Sequence, residues 1–281
     1  MTADKPGITF PGGTTVPKLG LGTWGMGERA QERAREVRAL QAGLDRGLTL
    51  IDTAEMYGSG GAEEVVGEAI AGRRDSVFLV SKVLPHNASR EGTRRACEAS
   101  LRRLGTDHLD LYLLHWRGSW PLEETLEAFS ALQTEGKIGA WGVSNLDMED
   151  CQELAALPGS EGLATNQLLY NLSRRGIEAD LLPWCQARGV PVMAYSPIEQ
   201  GRLLYQRPLE RIAQRHTATA AQIALAWLLR QEGVLPIPKA SDLDHLEENI
   251  AALSVELTQE DLEELDRGFP PPDGPQPLDI L

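Results

Sequence analysis

Four polar side chains of different chemistry, Asp52, Tyr57, Lys82 and His115, fall at or just beyond the carboxyl ends of three apolar runs, Leu48 to Ile51, Val77 to Val80 and Leu109 to Leu114. Each run is short, rich in Leu, Val, Ile and Phe, and flanked by helical patterns, which is how a buried parallel strand reads. A carboxylate, a phenol, an ammonium and an imidazole would then converge where the strand tips open. Lys82 follows Val77-Phe78-Leu79-Val80-Ser81, so its ammonium is expected to be buried and needs a partner to stay charged. Asp52 is the natural counter-ion. Taken alone, such a pair could be purely structural. Tyr57 lowers the weight of that reading: an ammonium stabilises a neighbouring phenolate, so the expected pKa falls toward the working range of a general acid for a substrate oxygen. His115 can donate a hydrogen bond to a carbonyl oxygen, and Trp24 with Trp116 can wall an apolar substrate pocket. Trp120 either joins that wall or packs on its loop.

Positioning these groups requires a parallel sheet with crossover helices, and the chain alternates accordingly. Eight strands are expected: Leu19 to Trp24, Leu48 to Thr53, Val77 to Val83, Leu109 to His115, Ile138 to Asn145, Ala164 to Leu168, Pro191 to Ser196, and Leu235 to Ile237. Helical spacing marks Ala30 to Arg46, Ala62 to Ala71, Arg90 to Arg103, Leu122 to Glu135, Asp147 to Ala156, Ile177 to Ala187 and Ala218 to Gln231, with Leu243 to Leu253 after the last strand. Ser89 and the Ser144-Asn145-Leu146-Asp147 stretch supply helix caps. The fold class is α/β, a (β/α)8 TIM barrel spanning 1–281 as one domain. Its strand-end loops form the active face. Asp52, Tyr57, Lys82, His115, Asn145, Gln167, Ser196 and Lys239 should share that face. Ile8 to Val16, centred on Pro11-Gly12-Gly13, reads as an N-terminal hairpin closing the barrel bottom. Leu209 to Arg215 and Gln259 to Arg267 read as extra helices near the C-terminus, and the tail from Phe269 as irregular or mobile.

Composition removes several partners. A formal net charge of -14 argues against nucleic acid, whose binding draws on clustered Lys and Arg. No apolar stretch approaches the roughly 20 residues of a membrane helix. No charged, apolar and small-residue series marks the amino terminus, so a cytoplasmic protein is expected. Cys97, Cys151 and Cys185 are isolated from one another, and the five histidines lack paired ligand spacing, which argues against disulfides and against a metal. Gly20-Leu-Gly22-Thr-Trp-Gly25 matches a dinucleotide fingerprint in letters only, because no helix starts within it and Trp24 would obstruct a pyrophosphate. Its glycines should instead serve the first strand and its exit turn. Tyr57-Gly-Ser-Gly-Gly61 lacks the Lys and Ser/Thr of a P-loop and reads as a flexible loop.

Leu50-Ile-Asp52-Thr-Ala54 with Tyr57 and Val66-Gly67 comes first in a longer series. Ser81-Lys82, His115-Trp116, Gly142-Val-Ser-Asn145, Asn166-Gln167, Tyr195-Ser-Pro197 and Ile237-Pro-Lys239 follow it in order. In that order and spacing the chain resembles the aldo-keto reductases over nearly its whole length. The resemblance implies hydride transfer from a nicotinamide cofactor to an aldehyde or ketone. In that scheme Tyr57 is the proton donor, Lys82 and Asp52 tune it, and His115 orients the carbonyl. It further implies that Ser144, Asn145 and Gln167 hold the nicotinamide amide and that Tyr195 stacks on its ring. Thr23, Trp24 and Asp52 border the cofactor, while Ser196, Pro197 and Gly201 belong to the loop over its pyrophosphate. Lys239, Ser241, His245, Glu248 and Asn249 form the adenosine-phosphate pocket. A carboxylate beside a pyrophosphate is unfavourable, so Glu199 either faces solvent or is offset by Arg202.

Ala54-Glu55-Met56-Tyr57 and Leu181-Leu-Pro-Trp-Cys185 look most like the bacterial branch that includes methylglyoxal reductases, which implies small dicarbonyls and aromatic aldehydes as substrates. The rival reading is a nicotinamide-binding regulatory subunit, as in the family's potassium-channel β-subunits; the lack of a long amino-terminal extension is set against it. A monomer is expected, with a small carbonyl compound as its only partner. NADPH is expected over NADH. His245 and Ala240 stand where the family commonly has Arg and Ser, and His is only partly charged at neutral pH, whereas Arg binds phosphate through a fixed fork. The kcat/KM for NADPH should therefore exceed that for NADH by a smaller margin than in an Arg-bearing relative, and equal values for the two cofactors would refute the preference.

Overall fold

The computed structural model describes residues 7–281; residues 1–6, on which part of the reading of the amino terminus rests, lie outside the described residues. The chain opens with an antiparallel hairpin, β1 (Gly7–Thr9) and β2 (Thr15–Pro17). Then strands and helices alternate: β3 (Leu21–Gly22), α1 (Arg33–Asp45), β4 (Leu50–Asp52), α2 (Gly61–Ile70), β5 (Phe78–Val83), α3 (Arg90–Leu104), β6 (Leu109–Leu114) and α4 (Leu122–Thr134). The alternation continues through β7 (Ile138–Ser144), α5 (Met148–Ala155), β8 (Leu163–Leu169), α6 (Leu181–Gln186), β9 (Val192–Tyr195), α7 (Arg207–His216), α8 (Ala220–Leu229), β10 (Val234–Pro236), α9 (Leu243–Ala251) and α10 (Gln259–Gly268). All eight expected parallel strands are present, in sequential order from β3 to β10.

The sheet curls back on itself. Gly20 N–H donates to the Pro236 carbonyl and Gly22 N–H to that of Pro238, both at 3.0 Å, and Gly22 bridges Lys239 in parallel. These bonds link the first parallel strand and its approach to the end of β10 and the segment after it, as a (β/α)8 barrel requires. The approach is close enough that a Cβ on Gly22 would lie 2.5 Å from the Ile237 carbonyl oxygen. The glycines of 20–25 thus serve barrel closure and, at Gly25 with φ +76°, an exit turn.

Strand alternation divides the apolar residues into two layers. Leu50, Phe78, Val80, Leu111, Leu113, Met193, Leu235 and Ile237 form one cluster inside the sheet, while Ile51, Leu79, Tyr112 and Leu114 join the larger cluster under the helices. Ile8, Phe10 and Val16 of the hairpin belong to the inner cluster, with the Phe10 ring stacked on Phe78 at 5.1 Å between centroids. The hairpin thereby covers the amino-terminal end of the barrel interior, leaving the carboxyl ends of the strands open.

Helix termini follow local chemistry. Ser89 accepts from Gly92 N–H and Asp147 from Asp150 N–H, while Thr219 and Gln222 form a reciprocal capping box at α8. The helix expected over 177–187 is broken instead. A 3-10 turn, Gly176–Ala179, gives way at Asp180, whose φ of -147° ends it and whose carboxylate caps Leu181 N–H at 2.6 Å. The segment expected to be flexible at 57–61 is a packed turn: a Cβ on Gly61 would meet the Gly27 carbonyl at 2.5 Å. The tail after 269 is irregular but anchored, with Leu278 packed on the core and Asp279 3.5 Å from Arg174.

Gly22→Ala is expected to lower stability by about 1–3 kcal/mol, the usual cost of forcing extra volume into a closed contact, readable as a lower midpoint in urea. An unchanged midpoint would mean that the two closing strands part without strain.

Candidate active site

Inner-facing positions alternate along each strand, and their last members are polar. On β4, Leu50 is followed two residues on by Asp52; on β5, Phe78 and Val80 lead to Lys82; on β6, Leu111 and Leu113 lead to His115 just past the strand. Parallel pairing sets Asp52 beside Val80 and Lys82 beside Leu113. Tyr57 opens a 3-10 turn, Tyr57–Gly60, and its own N–H bonds the Ala54 carbonyl at 3.1 Å. The barrel thus brings the four expected residues together from distant parts of the chain.

Lys82 is fully buried. Its ammonium has three protons and three acceptors: Asp52 Oδ2 at 2.8 Å, the Thr53 carbonyl at 2.9 Å and the Tyr57 hydroxyl at 3.0 Å. Gln167 Nε2 donates to the other Asp52 oxygen at 2.8 Å, and Thr23 Oγ1 donates to the Asp52 carbonyl at 2.9 Å. Burial alone would lower the Lys82 pKa, but Asp52 and Tyr57 outweigh it and hold the ammonium's pKa above its ordinary value. For Tyr57 the expected direction is reversed. Burial pushes its pKa up, Lys82 pulls it down without overcoming burial, and Asp52 adds to the rise. A neutral phenol is the form that can give a proton away, so the raised pKa leaves Tyr57 chemically equipped to act as an acid.

The Tyr57 ring lies edge-on to Trp24 at 5.1 Å and to His115 at 5.7 Å, and Trp116 sits 4.8 Å from the His115 ring. Trp24 is 52% exposed, so an apolar face remains open beside the phenol. Trp120 donates to the His86 carbonyl at 3.4 Å, which ties it to its neighbouring loop. His115 is buried and its Nδ1 has no partner. Desolvation, with a smaller contribution from Lys82, drops its pKa to about 2. A neutral imidazole keeps one N–H donor and adds no positive charge to the site.

A second group of polar side chains adjoins this one. Ser144 Oγ donates to the Gln167 carbonyl at 2.8 Å, and Asn145 Nδ2 donates to the His115 carbonyl at 3.1 Å. Asn145 holds a left-handed backbone, φ 55°, and its Oδ1 accepts from the Tyr195 hydroxyl at 2.9 Å. Burial raises the Tyr195 pKa to about 12. Ser196 and Pro197 continue from β9 into a loop in which Ser196, Glu199, Gln200 and Gly201 all have positive φ. Glu199 does not face solvent. It is buried, accepting from Asn171 Nδ2 at 2.8 Å, from Arg174 at 3.1 Å and from Arg202 at 3.0 Å. Burial opposes its ionisation, but these donors win and hold its pKa below the ordinary value. Arg202 is therefore one of its partners, as one of the two expectations had it.

The remaining expected residues occupy the segment after β10. Lys239 is exposed, Ser241 and Glu248 are half-buried, and Asn249 is buried. His245 is exposed and bonded to the Asp242 carboxylate at 3.0 Å. This segment joins the central cluster through the backbone bridge at Gly22 rather than through side chains. Three residues of the site were not singled out from sequence. Asn171 and Arg174 lie in the loop after β8, a class of loop that already pointed to the mouth. Glu55, two residues before Tyr57, accepts from Leu84 N–H at 2.7 Å and Asn87 Nδ2 at 3.1 Å.

Residues 18–268 match the profile of the Aldo/keto reductase family. The chain is 55% identical to a methylglyoxal reductase of Escherichia coli over 279 residues, 98% of each chain. A crystal structure of an aldo/keto reductase from Klebsiella pneumoniae in complex with NADP and acetate is 55% identical, with a TM-score of 0.96 over 99% of this chain and 100% of that one. A second Klebsiella pneumoniae aldo-keto reductase structure, in complex with NADPH, is 54% identical with a TM-score of 0.97 over the same shares.

With the imidazole neutral, the His115 ring resonances should stay constant from about pH 8 to about pH 5, where an unperturbed histidine would titrate. Because the unfolded chain binds this proton and the folded chain does not, the fold weakens as pH falls below 6.5. A His115 titration midpoint near the ordinary value, seen by NMR, would refute burial as the controlling influence.

Proposed function

The chain belongs to the aldo/keto reductase family, and from that premise we propose that it reduces small reactive aldehydes and dicarbonyls to alcohols with NADPH, using Tyr57 as the proton donor. The observation that carries this reading is the Tyr57 hydroxyl held 3.0 Å from a fully buried, fully hydrogen-bonded Lys82 ammonium, beside a neutral His115. The likeness to a methylglyoxal reductase supports small dicarbonyls as the substrate class. The whole chain would act as one barrel unit.

The donor set fits a nicotinamide dinucleotide. Asn145 bonds the Tyr195 hydroxyl, and Ser144 and Gln167 adjoin Asn145, a grouping of amide and hydroxyl groups suited to a carboxamide and a flat ring. The exposed Lys239 and, beside it in sequence, Ser241 and His245 supply a cation and donors for phosphate on an otherwise acidic protein. When bound, NADPH supplies the hydride for carbonyl reduction. As a carbonyl carbon is reduced, negative charge builds on its oxygen. Tyr57 can neutralise that charge by giving up its proton, and the His115 N–H can stabilise it by hydrogen bonding. Lys82 favours the phenolate left behind, while Asp52 and Gln167 keep Lys82 in place. Trp24 and Trp116 provide apolar walls for the rest of a small substrate.

Tyr57→Phe keeps the ring contacts and removes the proton. Oxidation of NADPH by methylglyoxal should fall by about a hundredfold or more, within the range of general acid catalysis, while NADPH affinity measured by fluorescence stays at the wild-type value. Turnover close to wild type would move the proton donor elsewhere. Absence of turnover in the wild type, with NADPH still bound, would return weight to a regulatory binding subunit.

A further inference from the structure

Tyr57 lies in the turn after β4 and Lys82 on β5, and beyond Thr53, whose N–H donates to the Val80 carbonyl at 2.9 Å, the backbone ties between the two segments lengthen. The Glu55 N–H meets the Lys82 carbonyl only at 3.5 Å. The closer link is the Glu55 side chain. Glu55 stands two residues before the phenol, and one carboxylate oxygen takes both Leu84 N–H at 2.7 Å, two residues after the ammonium, and Asn87 Nδ2 at 3.1 Å. No Lys, Arg or His lies within ion-pair distance of this carboxylate among the described residues, so it is held by neutral donors. The segment it grips is itself tied to the loop after β6. His115 N–H donates to the Val83 carbonyl at 3.0 Å, Trp120 donates to the His86 carbonyl at 3.4 Å, and Gly118 fits against Pro85 so tightly that a Cβ would lie 2.6 Å from the proline ring.

We propose that Glu55 is a positioning residue that locks the Tyr57 turn to the exit of β5, fixing the phenol at hydrogen-bond distance from Lys82 and in register with His115. The inference rests on the reading of Tyr57 as proton donor. The role of Glu55 is geometric, to present an acceptor oxygen to Leu84 N–H and Asn87, and it does not depend on the negative charge. Displacement of the phenol by about 1 Å is enough to cost a large factor in rate, because proton donation depends on near-contact geometry.

Three variants test it, each assayed for kcat, KM, NADPH affinity by fluorescence, and the pH profile of kcat with methylglyoxal. Glu55→Ala should lower kcat about tenfold or more, displace the pH profile, and leave NADPH affinity at the wild-type value. Glu55→Gln retains the acceptor oxygen and should restore kcat and the profile. Asn87→Ala removes the longer of the two bonds and should give a smaller fall in kcat, which keeps the proposal testable should Glu55→Ala not fold. Wild-type kcat in Glu55→Ala would overturn the proposal, as would equal losses in Glu55→Gln and Glu55→Ala, or loss of NADPH affinity in step with turnover. Tyr57→Phe run in parallel separates the two readings. If Tyr57→Phe is inactive and Glu55→Ala is normal, only the role of Glu55 falls; if Tyr57→Phe is active, the premise falls with it.

Discussion

A lysine ammonium with no solvent exposure sits at the centre of this molecule, and the rest of the site can be understood as what its charge requires. Burying such a group unpaired costs several kcal/mol, and removing one partner of a buried pair typically costs about 3–5 kcal/mol. Asp52 supplies the countercharge, the Thr53 carbonyl and the Tyr57 hydroxyl take the remaining protons, and Gln167 occupies the carboxylate oxygen that Lys82 leaves free. Residues from β4, β5, β8 and the turn after β4 are thereby committed to one another. The parallel barrel makes this convergence simple, since inner-facing positions at adjacent strand ends are neighbours however far apart they lie in the chain.

Much of this was legible in the sequence because strand tips announce themselves. An apolar run that ends in a single charged or aromatic polar residue marks the point where a buried strand meets an opening, and the alternation of strands and helices identifies the end of the barrel on which those tips collect. What composition and spacing do not carry is the balance between opposing influences on one atom. The phenol of Tyr57 feels Lys82, as expected, but Trp24 and His115, from beyond the ends of other strands, pack against its ring, and burial prevails. The break at Asp180 was hidden for a different reason: its side chain competes with the helix for a backbone N–H, a local event that apolar periodicity does not register.

The acidic surface and the expected phosphate-bearing ligand are reconciled locally rather than globally. Glu199 looked out of place in the loop after β9, yet it is consumed internally, its two oxygens shared among Asn171, Arg174 and Arg202. That arrangement carries a strained backbone, with Glu199 and Gln200 both at positive φ, a conformation that non-glycine residues hold only when their surroundings enforce it. A carboxylate that seemed to oppose an anionic ligand instead shapes the loop. Lys239, outside this network, keeps its charge available at the surface.

The end of the chain follows the same loop inward. Asp279 shares Arg174 with Glu199, and the last residue, Leu281, directs its N–H toward the Tyr195 hydroxyl at 3.4 Å, the same hydroxyl that bonds Asn145. Leu281 therefore lies at the rim of the opening at the carboxyl ends of the strands, whereas the hairpin covers the opposite side of the barrel. The two sides of the barrel are therefore not equivalent places for added residues. Residues joined after Leu281 would begin within reach of Tyr195, while an insertion in the hairpin turn at Gly12-Gly13 would lie on the far face.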